Sequence, residues 1–232
     1  MNASIDKSLS GQASQKISSN TNGGSWFTSI TGYVKKHWFW MLANVAAAWP
    51  LAQLLWQWFT GYMIDPIGEM TDITGYAGLV LLVLSLACTP LLTLTGFRKV
   101  NTVRKSLGLW GFAYVTLHML VFIALDYGLN LDFILDDAVL SKRYVIVGFA
   151  AFLLLLPLAI TSTKWWMKRL GRNWKRLHQL VYVAVPLGAL HYIWVEKVPV
   201  EPVVWATVIG LLLLARVKVV RTRLQQLRQL VG

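Results

Sequence analysis

Six long apolar runs constrain this chain more than any other feature of its sequence. A helix needs roughly 20 apolar residues to cross a bilayer core about 30 Å thick, and each run is close to that length. Because lipid cannot satisfy open backbone polar groups, each run predicts a transmembrane helix. We expect an all-α integral membrane bundle of six transmembrane helices, formed by residues 38–59, 75–95, 107–127, 144–163, 177–195 and 203–220.

Composition agrees with a membrane protein, since 56% of the residues are hydrophobic and 14% are charged. The formal net charge of +12 does not indicate a nucleic-acid partner, because the basic residues form short clusters between the apolar runs. The single cysteine, Cys88, lies inside an apolar run. With one cysteine, the chain cannot form an internal disulfide, a cysteine-cluster zinc site or a two-cysteine covalent attachment of haem.

Charged residues in the connections predict the orientation. Lys142, Arg143 and Lys197 are the only basic residues on one side, which also carries every acidic residue except Asp6. Because cytoplasmic connections collect lysine and arginine, the other side and both termini are expected to be cytoplasmic. Arg216, within the last run, is expected to snorkel to the membrane interface.

Outside the runs, the chain offers little room for a second folded domain. The first two dozen residues are rich in Ser, Asn, Gly and Gln, and residues 1–34 predict a disordered cytoplasmic tail. Residues 35–223 form the predicted membrane domain and residues 224–232 a cytoplasmic C-terminal tail. The connections are too short for a nucleotide-binding domain, so a soluble redox domain would have to belong to another polypeptide.

Two histidines lie at similar depth in the predicted bundle. His118 is about 16 Å from the cytoplasmic end of the third run, and His191 is about 21 Å from that of the fifth. Two neutral imidazoles at one depth can supply both axial ligands of a haem iron. They can equally be buried histidines that only form hydrogen bonds between helices, and the positions alone leave both interpretations open.

The other two histidines have different settings. His178 lies about 20 Å along the helix from His191, on the cytoplasmic side, where it can serve a second haem. Arg104 and Lys105 stand where the third run would need a matching histidine, so a second bis-histidine site is not expected. His37, beside two lysines, is expected to be solvated at the interface.

Several other classes of function lack their motifs. The chain has no Walker-type phosphate loop, G-x-S-x-G elbow or H-E-x-x-H helix. No Asp, Glu or Lys lies deep in the first five runs, which argues against an ion-coupled transporter. Gly75 and Gly148 are expected only to let helices approach closely. The basic, tryptophan-containing loop 164–176 fits lipid headgroups, or a docking surface that binds anions.

The stretches around the histidines resemble a known family. The motifs R-x-S-L-G-L-W, T-L-H, L-G-x-x-W-x-x-L-H-x-L-V-Y and H-Y-x-W occur within residues 103–194. They are similar to the MsrQ family, the haem-binding membrane subunits of bacterial protein-methionine-sulfoxide reductases. That family belongs to the ferric-reductase-like transmembrane group, and the resemblance covers roughly residues 74–223.

The resemblance implies a haem b electron-transfer subunit in the bacterial inner membrane. Its haem-iron ligands map onto His118, His178 and His191, with one haem or two, and family members are described as binding FMN. Electrons are expected to pass from the quinone pool or a cytoplasmic flavin reductase to a periplasmic molybdopterin-dependent enzyme, which carries the methionine sulfoxide chemistry. The alternatives are a stand-alone ferric or cupric reductase and a non-redox transporter or assembly protein.

Overall fold

The computed structural model describes residues 25–134, 136 and 142–231, and all the regular structure in these residues is helical. The principal helices are α1 Ser25–Thr60, α2 Pro66–Thr95, α3 Lys99–Val121, α4 Arg143–Ile160, α5 Lys164–Leu170, α6 Arg172–Leu177, α7 Val181–Val195, α8 Val200–Leu214 and α9 Lys218–Val231. A π-helical turn, Phe122–Asp126, continues α3, and a 3₁₀ turn, His178–Leu180, precedes α7.

The predicted N-terminal tail falls mostly on residues 1–24, which lie outside the described residues, and α1 already begins at Ser25. The chain divides into two units, with the boundary after Met41. In the first unit, the ring centroids of Tyr33 and His37 lie 4.5 Å apart.

Helices long and apolar enough to cross a membrane confirm the predicted all-α membrane class. Four of them are found among the described residues: Thr31–Thr60, Pro66–Thr95, Lys99–Asp126 and Arg143–Ile160. The pair Val200–Leu214 and Lys218–Gln226, bent by 80°, makes a fifth if it forms one span.

The last two predicted runs differ from the helices in the structure. The fifth run forms α7, which has 15 residues and is about 22 Å long, because the 3₁₀ turn at His178–Leu180 interrupts the helix before it. The sixth run ends at Leu214 instead of residue 220. Arg216 lies in the bend and does not snorkel outward, since it donates hydrogen bonds to the Tyr182 hydroxyl and the Leu86 carbonyl.

Helix α2 is the centre of the bundle. Asp65 caps its first turn by accepting a hydrogen bond from the Gly68 amide at 3.1 Å, and Gly96 ends it in the left-handed conformation, with φ of 70°. It packs against α3, α7, α8 and α9, and α4 packs against α7. The buried core residues are Leu79, Leu82, Val83, Leu86, Leu155, Leu158, Ala184, Val185, Ala189 and Ile209.

A buried tyrosine joins α1 to α3. The Tyr114 hydroxyl accepts a hydrogen bond from the Leu51 amide and donates one to the Ala47 carbonyl, each at 2.9 Å. In an unbroken helix these two backbone groups would bond to each other. Pro50 disturbs the helix at this turn, so the hydroxyl takes over both backbone groups.

We predict that Tyr114→Phe lowers the free energy of unfolding by about 1–3 kcal/mol, because it removes both hydrogen bonds within a buried region. Thermal unfolding of the detergent-solubilised protein measures the effect. Tyr62→Phe is the matched control, since Tyr62 is 82% exposed. Equal melting temperatures for the two variants would contradict the assigned role of Tyr114.

Candidate functional site

The structure brings His118 of α3 and His191 of α7 together. Their ring centroids lie 6.1 Å apart, and the ring planes make an angle of 82°. Both side chains are partly buried between helices. The two residues are far apart in sequence, so the packing of the hairpin α2–α3 against the pair α4–α7 creates their proximity.

Each imidazole is held by a backbone carbonyl of a neighbouring helix. Nδ1 of His118 lies 3.0 Å from the carbonyl oxygen of Thr71, and Nδ1 of His191 lies 2.7 Å from that of Tyr144. Because a carbonyl only accepts, Nδ1 of each ring carries the proton and donates it. Each Nε2 therefore keeps a lone pair that can bind a metal.

A glycine makes room for each ring. A Cβ atom added at Gly75 would lie 3.0 Å from Nδ1 of His118, and one added at Gly148 would lie 2.7 Å from Nδ1 of His191. These glycines were expected only to bring helices together. In the structure, each glycine lets the helix backbone lie directly against an imidazole. Any larger residue at the same position would disturb this contact.

The same arrangement occurs twice. In each half, the accepting carbonyl precedes its histidine by 47 residues, and the glycine follows the accepting residue by one helical turn. This repeated spacing is the sequence signal that could have singled out Gly75 and Gly148 beforehand. It also shows that two helix pairs present their histidines by the same means.

His178 is not part of this pair. It lies in the 3₁₀ turn before α7, where its Nδ1 is 3.1 Å from the carbonyl oxygen of Trp174. The Trp174 ring lies against it at 4.0 Å between centroids and is itself fixed by a hydrogen bond to the Thr161 carbonyl. Nε2 of His178 is buried and has no hydrogen-bond partner in the described part of the chain.

The imidazoles of His118 and His191 suit a metal that is already bound by other ligands. Within residues 25–134, 136 and 142–231, no group of three or more His, Cys, Asp or Glu side chains could hold a bare metal ion. Two imidazoles are a donor pair that can serve as the axial ligands of a haem iron. Stacked aromatic rings of Phe112 and Phe152, 5.8 Å apart, line the contact between α3 and α4.

The basic loop 164–176 is helical in the structure. Its residues form α5 and α6, in which the Arg169 guanidinium lies 5.1 Å from the exposed Trp165 ring. In the connection between α3 and α4, Asp126 and Asp132 are exposed.

The chain is similar to a known protein family and to individual members of it. The family model described as a ferric reductase like transmembrane component matches residues 74–189. The haem-binding subunit MsrQ of protein-methionine-sulfoxide reductase from Xanthomonas axonopodis pv. citri is 42% identical over 180 residues, which are 74% of this chain and 82% of the relative. The corresponding subunit from Xanthomonas campestris pv. campestris (strain 8004) is 40% identical over 178 residues, 73% of this chain and 81% of the relative.

No solved structure matches the chain. The family-model match includes His118 and His178 and ends two residues before His191. The chain belongs to the MsrQ family of haem-binding subunits of protein-methionine-sulfoxide reductase, within the ferric-reductase-like transmembrane group.

Proposed function

We propose that this chain is a membrane cytochrome in which His118 and His191 are the two axial ligands of a haem b. The observation that carries the proposal is the 6.1 Å separation of the two ring centroids, combined with Nδ1 hydrogen bonds that leave both Nε2 atoms available. His118 and His191 would hold the haem iron between them, each through its Nε2 atom.

The residues present fit this group. The 82° between the ring planes would not prevent both imidazoles from binding one haem iron. The Thr71 and Tyr144 carbonyls fix each ring in place and make its Nε2 a stronger electron-pair donor to a metal. When bound, haem supplies a one-electron centre whose potential depends on these ligands and on burial.

The membrane arrangement proposed for this function has six spans with both termini in the cytoplasm. The stretch from α6 through the 3₁₀ turn to α7 is helical throughout and would be the fifth span of this arrangement. The bent pair α8–α9, which passes the length and composition test for one span, would be the sixth. Among the described residues, the acidic residues lie at or near helix ends that would face the periplasm. The protein would thus be a multi-pass protein of the bacterial inner membrane.

The proposed route of electrons leads from the cytoplasmic side to a partner enzyme. The relatives are named as haem-binding subunits of a protein-methionine-sulfoxide reductase, which supports a partner that performs the sulfoxide chemistry. We propose a periplasmic molybdopterin-dependent subunit as acceptor, and the quinone pool or a cytoplasmic flavin reductase as donor. His178 would serve electron entry, beside a second haem or FMN.

A stand-alone ferric or cupric reductase is the second candidate, favoured by the match to the ferric-reductase-like family model. The two candidates differ in their need for a partner protein. With the chain reconstituted in vesicles and its haem reduced from one side, we expect methionine sulfoxide to reoxidise the haem only when the partner subunit is present. Equally fast reoxidation by ferric or cupric ions alone would favour the second candidate.

We predict that His118→Ala and His191→Ala each abolish the low-spin haem signal without preventing membrane insertion, because each variant removes one axial ligand. The pyridine haemochrome content and the reduced-minus-oxidised spectrum of the purified variants test this. His37→Ala, outside the pair, should keep full haem. Unchanged haem content and spectrum in both ligand variants would rule out the proposed pair.

We predict that Gly148→Ala weakens haem binding by roughly tenfold or more, as expected when the groups that orient a metal ligand are disturbed. Gly75→Ala should have a smaller effect, because its added Cβ is less crowded, at 3.0 Å against 2.7 Å. Gly210→Ala is the matched control, since a Cβ there meets nothing within 4 Å. Haem titration and the electron paramagnetic resonance of the ferric protein measure the order, and equal values for the three variants would contradict it.

A further inference from the structure

A second polar cluster lies well away from the histidine pair, at the other end of the same helices. We call it the arginine cluster, and it consists of Arg216, Arg104, Tyr182 and His178. His178 precedes His191 by about 20 Å along the helix, and Arg104 precedes His118 by a similar length. The two sites are therefore separate.

Arg216 is held firmly in this cluster. Its Nη1 donates to the Tyr182 hydroxyl at 2.7 Å, and its Nη2 donates to the Leu86 carbonyl. The guanidinium carbon lies 5.0 Å from the centroid of the Tyr182 ring. These contacts fix an arginine in the bend between α8 and α9, with its side chain turned into the bundle.

Two nitrogen atoms of the cluster have no protein partner in the part of the chain described. Both Nε of Arg216 and Nε2 of His178 are buried and lack a hydrogen bond. The Arg104 guanidinium acts electrostatically on both residues. Because Nδ1 of His178 donates to the Trp174 carbonyl, its Nε2 holds a lone pair that can bind a metal. The N–H at Nε of Arg216 is a buried donor without a partner, which is costly, so a bound group that accepts hydrogen bonds and carries negative charge would stabilise Arg216.

No carboxylate of the bundle itself can supply that negative charge. Every acidic residue after Asp6 falls within residues 65–72, 126–137 or 196–201. Glu201, the one nearest to Arg216 in sequence, is about 22 Å away along the helix. The arginine cluster thus has an excess of positive charge that a bound anion would balance.

We propose that Arg216 binds the anionic group, a carboxylate or a phosphate monoester, of a redox cofactor seated beside His178. The guanidinium is suited to either, because it donates charge-assisted hydrogen bonds to both kinds of oxyanion. The carboxylate would come from a haem propionate and the phosphate from a flavin mononucleotide. The inference rests on the proposed function, since it assigns the anion-binding residue of the electron-entry site.

The test compares full-length Arg216→Gln, Arg216→Lys and Arg221→Gln, purified with the wild-type protein in detergent. Arg221 is exposed on α9 and serves as the matched control. Haem per chain is counted by pyridine haemochrome, and released flavin by fluorescence. We expect Arg216→Gln to lose one haem or the flavin and to rebind it at least tenfold more weakly. The low-spin signal of the His118–His191 haem should persist in this variant and report correct folding.

The identity of the lost group separates the two sources of the anion. Arg216→Lys keeps the charge and should retain part of the affinity, and it replaces Arg216→Gln if that variant does not fold. Arg221→Gln should match the wild type. Full retention of haem and flavin in both Arg216 variants, or a wild-type protein that holds one haem and no flavin, would overturn the inference. A wild-type protein without any haem would instead overturn the proposed function.

Discussion

The hydrogen bonds from the two imidazoles to backbone carbonyls are the interaction on which the site depends. In lipid, a helix satisfies its own backbone bonds, so an interior carbonyl accepts a further bond only through its second lone pair. Thr71 lies in the second turn of α2 and Tyr144 in the first turn of α4. Their carbonyls tie α3 to α2 and α7 to α4, and this leaves the two histidines facing each other across the junction of the helix pairs.

The site also requires each imidazole to approach the helix backbone closely, because its hydrogen bond is to a backbone carbonyl. A ring can reach a carbonyl within a helix only if the residue one turn later leaves space for it. Gly75 and Gly148 leave that space. Glycine destabilises a helix by about 1 kcal/mol relative to alanine. Here the hydrogen bond to the imidazole and the fixed orientation of the ring offset this cost.

The sequence predicted the elements whose signals are local. Apolar length predicted the helices, and counting residues from the start of each run predicted that His118 and His191 lie at one depth. Arg216 was not predicted correctly, because snorkelling assumes that water is the best partner, whereas here the Tyr182 hydroxyl and the Leu86 carbonyl are within reach. The shortness of α7 was also missed, since hydrophobicity does not distinguish a 3₁₀ turn from an α-helix.

The role of the glycines was missed for a related reason. Helix packing and ring accommodation both favour a small residue, so a single glycine cannot distinguish them. Only the spacing shared by two helix pairs does so: a carbonyl, a glycine one turn later and a histidine 47 residues after the carbonyl. Because each pair holds its imidazole independently, a ligand that needs two opposed nitrogens meets a site already formed. Little conformational entropy then remains to be lost on binding, which is the property expected of a site that holds a cofactor without a covalent bond.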